Sequence, residues 1–107
     1  MESRPRTIRI YVGPDGERPF ETWFKTLEPI RARTSIAARI DRAERGALGD
    51  WKPIRSGVCE MRVHFGPGYR VYFGLDGDVI VLLWGGVKST QPRDISRAVK
   101  YWGDYNA

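Results

Sequence analysis

The chain is poor in the residues on which disulfide, zinc and membrane-spanning structures depend. Cys59 is its only cysteine and His64 its only histidine, so no intramolecular disulfide can form and no zinc site built from several Cys or His side chains can close. The longest apolar run, Val79–Trp84, is far too short to span a bilayer, and the start of the chain has no apolar run typical of a signal peptide. We therefore expect a cytoplasmic protein with no metal, no cofactor and no membrane contact.

What the sequence has in excess is positive charge. Among 107 residues, 18 Lys and Arg stand against 13 Asp and Glu, which gives a formal net charge of +5. This balance favours an anionic partner, such as nucleic acid or an acidic protein. The length fits a single domain over residues 1–107, and neither an internal repeat nor a linker divides the sequence.

The hydrophobic pattern changes its period along the chain and predicts an α+β fold. Thr7–Val12 alternates as a half-buried strand does. Apolar residues then recur at helical spacing in two segments, which predicts a helical hairpin, and the second segment places Arg39 and Arg42 away from its buried stripe. Period-two alternation follows over Val58–Phe65 and Tyr69–Phe73, Val79–Trp84 is apolar throughout as in a central strand covered on both faces, and a last helix begins near Thr90. We expect an antiparallel sheet of four to five strands, with an N-terminal helical hairpin and a C-terminal helix against one face.

A β-hairpin with its turn at Gly66–Gly68 is predicted to carry the candidate site. A three-residue turn places Phe65 opposite Tyr69, so that apolar side chains, Cys59 among them, occupy one face and polar side chains the other. The predicted polar cross-strand pairs are His64 with Arg70 and Arg62 with Tyr72. A register shifted by one residue would bury charged groups in the core, which argues against it.

A second hairpin is predicted at Asp76–Gly77. A two-residue turn there places Val81 beside Tyr72 and Leu83 beside Arg70. The polar face then adjoins an apolar floor, as in ligand-binding clefts. The simpler interpretation, in which the alternating charges are the solvated side of a sheet, is about equally well supported.

The polar face has the groups needed to cleave RNA through the neighbouring 2′-hydroxyl. That reaction requires no metal, but it requires a base, an acid and cations that stabilise the charge on phosphorus. The predicted catalytic residues are Arg62, Arg70 and Lys88 as cations, with His64 or Glu60 as proton carriers. Lys88 also lies just before a helix N-terminus, where free backbone amides favour phosphate, and Tyr72 can stack on a base.

Several stretches of the sequence resemble one toxin family. They read EMRV at Glu60–Val63, GPGYRVYF at Gly66–Phe73 and WGGVKSTQPRDISRA at Trp84–Ala98, and the segment Arg39–Ile54 resembles the same family. The likeness extends from about Thr7 to the last helix. On these residues the chain resembles the HigB-like addiction-module killer proteins, a branch of the RelE/ParE toxin superfamily.

The resemblance implies the toxin of a type II toxin–antitoxin system. Such a toxin is neutralised by an antitoxin, here expected to be a helix-turn-helix protein from the adjacent gene, and contacts operator DNA only through it. RelE-type members cleave mRNA on the ribosome without metal and so inhibit translation, whereas ParE-type members block DNA gyrase and cleave nothing. Fold alone does not decide between them, so three hypotheses stay open: an mRNA endoribonuclease, a gyrase inhibitor and a catalytically inactive basic binding module.

The family pattern can be carried over residue by residue. The Arg of its YR pair corresponds to Arg70, the basic residue after the glycine-ended strand to Lys88, and a basic strand position to Arg62. Lys52 corresponds to a lysine before that strand, and Lys52 and Arg55 are expected to bind RNA. RNA-cleaving members often add a Tyr or His near the C-terminus, and the candidates here are Tyr101 and Tyr105.

Overall fold

A computed structural model describes residues 4–107, which form an α+β fold around one five-stranded sheet. The elements are β1 (Thr7–Ile10), α1 (Pro19–Lys25), α2 (Ile30–Glu44), β2 (Trp51–Arg55), β3 (Val58–Val63), β4 (Tyr69–Asp76), β5 (Val79–Val87), a 3₁₀ turn (Lys88–Thr90) and α3 (Gln91–Tyr105). The strand order is β1-β5-β4-β3-β2. The α+β class and the C-terminal helix are therefore confirmed.

The sheet is mixed, so the prediction of a purely antiparallel sheet is wrong. β1 pairs with β5 in parallel, whereas β2 to β5 form an antiparallel meander. The reason lies in the two helices between β1 and β2, which carry the chain from one edge of the sheet to the other. A parallel pair needs a long crossover connection of this kind.

The helices cover both faces of the sheet rather than one, which corrects a second expectation. The face under α1 and α2 is apolar and includes Met61, Val71 and Phe73, all fully buried. The opposite face packs Tyr72 and Leu83 against α3. β5 needs cover on both sides because its apolar run points alternately into the two cores. Cys59 lies in the core under the helical hairpin, as predicted, where burial raises the pKa of its thiol.

The second helix, α2, buries an arginine that the sequence pattern placed away from the buried stripe of the helix. Arg39 is 8% exposed and donates hydrogen bonds to the carbonyl oxygens of Leu48, Asp50 and Arg62. These bonds tie α2 to β3 and to the loop before β2, because buried carbonyl groups need donors. Arg42 is exposed, as predicted.

No helix within residues 4–107 combines the length and the apolar character needed to cross a bilayer.

The register of the β3–β4 hairpin is shifted by two residues from the predicted one. Val63, not Phe65, lies opposite Tyr69, and Arg62 lies opposite Arg70. The loop is longer than expected because residues 64–68 form local turns of their own, with hydrogen bonds from Phe65 N to Val63 O and from Gly68 N to Phe65 O. A shift of two preserves which face each side chain occupies, but it moves His64 out of the strand.

The β4–β5 register also differs from the prediction. The strand pairs begin at Asp76 with Val79, and an extra residue, Leu83, bulges out of β5. A bulge of this kind increases the local twist and re-aims the side chains that follow it. In consequence the residues opposite Tyr72 and Arg70 are Trp84 and Gly86, rather than Val81 and Leu83.

Candidate functional site

Most of the predicted site residues project from the sheet face on which α3 packs. On β3 and β4, Arg62 is the cross-strand partner of Arg70, and Glu60 is that of Tyr72. On the edge strand β2, Lys52 is aligned with Glu60. The side chain of Arg55 reaches the hydroxyl of Ser96 in α3, at 3.2 Å. The residues brought to this face are Lys52, Arg55, Glu60, Arg62, Arg70 and Tyr72.

Glu60 is a buried anchor at the centre of this face. Its side chain is fully buried, and its two carboxylate oxygens accept hydrogen bonds from Gln91 Nε2 at 2.5 Å and from Arg62 Nε at 3.2 Å. A buried carboxylate needs such partners because its desolvation is otherwise costly. Glu60 therefore has no surface to offer a substrate, and its evident effect is to join α3 to Arg62.

A second buried carboxylate fastens the start of α3 to β5. Asp94 is 5% exposed, and it accepts hydrogen bonds from Trp84 Nε1 at 3.0 Å and from the Thr90 hydroxyl at 2.5 Å. Asp94 also lies in the first turn of α3, where a negative charge is favourable. The carboxylate fits only because Gly86 has no side chain, since a Cβ there would collide with Asp94 Oδ2.

Tyr72 lies among these charges but is closed to solvent. Its ring is fully buried, and its hydroxyl has no hydrogen-bond partner within residues 4–107. Burial, followed by the nearby carboxylates of Glu60 and Asp94, raises the pKa of the Tyr72 hydroxyl, so the group stays protonated. The prediction that Tyr72 stacks on a base is wrong, because α3 already covers the ring.

Arg62 and Arg70 form a pair of guanidinium groups at the edge of the cover provided by α3. They are half-buried cross-strand neighbours, a placement in which like charges repel unless they are compensated. Arg62 is compensated by Glu60 and, at 3.8 Å, by Asp50. Within residues 4–107, no carboxylate forms an ion pair with Arg70, and Arg70 Nε is buried without a hydrogen-bond partner.

His64 lies at the solvent-exposed edge of this site, in the loop after β3. Its side chain is 75% exposed, and its Nε2 lies 2.7 Å from Asp50 Oδ2. The hydrogen bond to His64 holds the pKa of Asp50 below its usual range, so Asp50 is a carboxylate and accepts the bond. Nε2 therefore donates the hydrogen of this bond, and Nδ1 has no hydrogen-bond partner within residues 4–107. The predicted pairing of His64 with Arg70 across the strands is wrong, since β3 ends at Val63.

Lys88 occupies the turn between β5 and α3. It is exposed, and its backbone NH donates to the carbonyl of Gly68 in the hairpin loop, at 3.0 Å. Lys88 follows Gly86, the cross-strand partner of Arg70, by two residues in the sequence. Lys88 therefore lies beside the loop of the β3–β4 hairpin.

Asp50, Gln91 and Asp94 are site residues that the sequence analysis did not single out. For the two α3 residues a signal existed, because positions 91, 94 and 98 share one helical face with the apolar stripe that covers the sheet. For Asp50 no local pattern existed, since its partners come from β3 and from the loop after it.

Residues 4–107 contain no cluster of three or more His, Cys, Asp or Glu side chains that could hold a metal ion.

The sequence matches one relative over most of its length. It is 44% identical over 80 residues to an uncharacterized protein of Haemophilus influenzae, and the aligned part covers 74% of this chain and 81% of the relative. The chain belongs to the family of that protein. It matches no model of a known protein family. The description of the relative names no activity.

Proposed function

We propose that the protein is the toxin of a type II toxin–antitoxin system and acts as a metal-independent, ribosome-dependent mRNA endoribonuclease. The observation that carries the proposal is Arg70: a half-buried guanidinium beside Arg62, with no carboxylate partner within residues 4–107. Leaving a cation uncompensated costs stability, and such groups are typical of sites that bind anions. The resemblance to the RelE/ParE toxins supports the same function.

The reaction requires charge stabilisation and two proton transfers. The 2′-oxygen attacks the neighbouring phosphorus, the P–O5′ bond breaks, and the products are a 2′,3′-cyclic phosphate and a 5′-hydroxyl. Arg70, with Lys88 and Arg62 beside it, stabilises the added negative charge on the phosphoryl oxygens. A base takes the proton of the 2′-hydroxyl, and an acid supplies one to the leaving 5′-oxygen.

His64 is the proton carrier that the geometry favours. Its Nδ1 has no hydrogen-bond partner within residues 4–107, its Nε2 is bonded to Asp50, and its side chain is open to a substrate. Asp50 fixes the tautomer of the ring in the way that a carboxylate orients a catalytic histidine. Glu60, buried and bonded on both oxygens, is assigned a positioning role: it holds Arg62 beside Arg70.

The proposal includes an antitoxin as protein partner. β1 is an edge strand, and an open sheet edge is a common place for another chain to pair. Next to it lies a groove of about 400 Å³ between the sheet and the helical hairpin. Its apolar lining residues are Ile8, Ile10, Phe20, Phe24, Ala37, Ile40 and Leu82. An extended or helical antitoxin segment with apolar side chains fits this surface.

The proposal is tested by inducing the protein in a bacterium and mapping the 5′ ends of several transcripts. The critical variant is Arg70→Met, which removes the charge but keeps an apolar side chain. Arg93→Met, at an exposed position of α3, is the matched control. New 5′ ends within translated codons are expected with the natural chain and with the control, but not with Arg70→Met.

The other outcomes separate the remaining hypotheses. Growth arrest with DNA-damage signalling and intact transcripts would favour inhibition of gyrase. Full viability with intact transcripts would favour an inactive binding module. Either result would contradict the endoribonuclease proposal.

A further inference from the structure

A second concave surface lies next to the Arg62–Arg70 pair, on the other side of the end of the β3–β4 hairpin. This α2 groove has a volume of about 390 Å³. Ser35, Ala38 and Arg42 line it from α2, and Val63, His64 and Phe65 line it from the end of β3. The groove exists because Ser35 and Ala38 are small, so α2 does not fill the space beside the hairpin.

The α2 groove carries positive charge that no carboxylate within residues 4–107 neutralises through an ion pair. Arg39 lines its base and is bonded only to backbone carbonyl groups, and Arg42 is exposed at its rim. Burial, followed by repulsion from the charge of Arg42, lowers the pKa of Arg39, and the carboxylate of Asp50 acts against this repulsion. The carboxylate beside the groove, Asp50, is already bonded to His64. An anion in the groove would relieve this repulsion.

The groove also presents an aromatic ring that is fixed on one side. Phe65 stacks on Tyr69, with ring centroids 6.4 Å apart and ring planes within 20° of each other. The ring is only partly buried, which leaves part of its surface to the groove. Aromatic rings beside cations are the usual elements of single-strand recognition, because every base has a π-face and every nucleotide a phosphate.

We propose that the α2 groove is a second nucleotide subsite for the same RNA strand, with a phosphate at Arg42 and a base on Phe65. The inference rests on the proposed function. His64 connects the two surfaces, because it lines the groove and directly follows the strand residues that face Tyr69 and Arg70. The substrate therefore passes from the Arg62–Arg70 pair over the hairpin end and onto α2, with His64 between the two phosphates.

The experiment measures binding of a short single-stranded RNA, made non-cleavable by 2′-deoxy substitution, across a series of salt concentrations. Arg42→Ala tests the phosphate contact, and Phe65→Leu tests stacking while retaining an apolar side chain. Arg45→Ala is the matched control, since it removes the same charge from a residue that pairs with Asp41 on the surface of α2. Urea unfolding of each variant shows that it is folded.

We expect Arg42→Ala to reduce the slope of log Kd against log salt by about 0.7, the value for one lost phosphate contact on a single strand. Phe65→Leu is expected to weaken binding by about tenfold, as the loss of one stacked base does. Arg45→Ala should leave the slope unchanged.

Two outcomes would overturn the proposal in distinguishable ways. If Arg42→Ala and Phe65→Leu bind like the natural chain while Arg70→Met loses binding, the α2 groove is not a subsite and the proposed function stands. If the natural chain binds no single-stranded RNA, either alone or on ribosomes, both the subsite and the proposed function fail.

Discussion

The two faces of the sheet differ in what their side chains require. Under α1 and α2, the buried strand residues, such as Met61, Val71 and Phe73, are apolar, and packing alone satisfies them. Under α3, one end of the face is apolar, but the other carries the carboxylates of Glu60 and Asp94, each of which needs directed hydrogen bonds. Packing on the first face stabilises the fold. Burying the two carboxylates on the second face costs part of that stability and holds charged groups in place.

The difference explains why Arg70 is available at all. Gln91 of α3 and Thr90, the residue just before α3, each donate a hydrogen bond to one of the two buried carboxylates, while Trp84 and Arg62 supply the remaining donors. Because the carboxylates are bonded elsewhere, neither pairs with Arg70. The face under α3 therefore combines a neutralised interior with Arg70, a cation that no carboxylate within residues 4–107 pairs with, an arrangement suited to anion binding.

The largest effect on stability is expected on the apolar face. Phe73 is fully buried between the sheet and the helical hairpin, and Phe73→Ala should lower the free energy of unfolding by about 3–5 kcal/mol, because a large cavity remains. Urea denaturation measures the change. Ile30→Ala, at a position that is 67% exposed, is the control and should cost less than about 0.5 kcal/mol. Equal costs at the two positions would contradict the assignment of the core.

A smaller but substantial effect is expected at the buried carboxylate of the other face. Asp94→Ala leaves Trp84 Nε1 without its acceptor and leaves the Thr90 hydroxyl with only the carbonyl oxygen of Val87, so we expect a loss of about 1.5–3 kcal/mol in the free energy of unfolding. The matched variant is Asp41→Ala, which removes an exposed ion pair with Arg45 and should cost no more than about 0.5 kcal/mol. If both variants cost the same, Asp94 does not fasten α3.

The smallest effect is expected at the solvent-exposed edge of the site and depends on pH. The pKa of Asp50 is lowered in the folded protein, mainly by the hydrogen bond to His64, so its contribution to stability is fully present above the unfolded value of about 3.9. The contribution disappears as the pH falls through the lower, folded pKa. The difference in unfolding free energy between the natural chain and Asp50→Asn should thus be positive at pH 6 and vanish in strong acid. A difference that grows below pH ~4 would have the wrong sign.

Much of this architecture could be predicted from the sequence because hydrophobic periodicity reports which side of an element is buried. It predicted the helical hairpin, the strands, the last helix and the shared face of Arg62, Arg70 and Tyr72. It did not predict which residues lie opposite each other on adjacent strands, because a period of two is unchanged when a strand slips by two residues. The long loop after Val63 therefore went undetected, and the bulge at Leu83 went undetected because Val79–Trp84 is apolar throughout and has no alternation to break.

The remaining errors come from interactions that no local pattern encodes. The pairing of β1 with β5 joins segments about seventy residues apart, and alternation does not indicate whether a pair is parallel or antiparallel. Arg39 occupies a position that the helical pattern assigned to the surface, and its burial depends on carbonyl groups from other elements. The cover of α3 over Tyr72 removed a predicted base-stacking residue for the same reason.

The most direct test of the account compares cleavage and stability in one variant, Arg70→Met, as purified protein. Because Arg70 Nε is buried without a hydrogen-bond partner within residues 4–107, and because the uncompensated cation costs stability, the account predicts a free energy of unfolding no lower than that of the natural chain. It predicts at the same time that cleavage of ribosome-bound mRNA slows by about 100-fold or more, as happens when a group that stabilises transition-state charge is lost. A folded Arg70→Met variant that cleaves as fast as the natural chain would contradict the central claim.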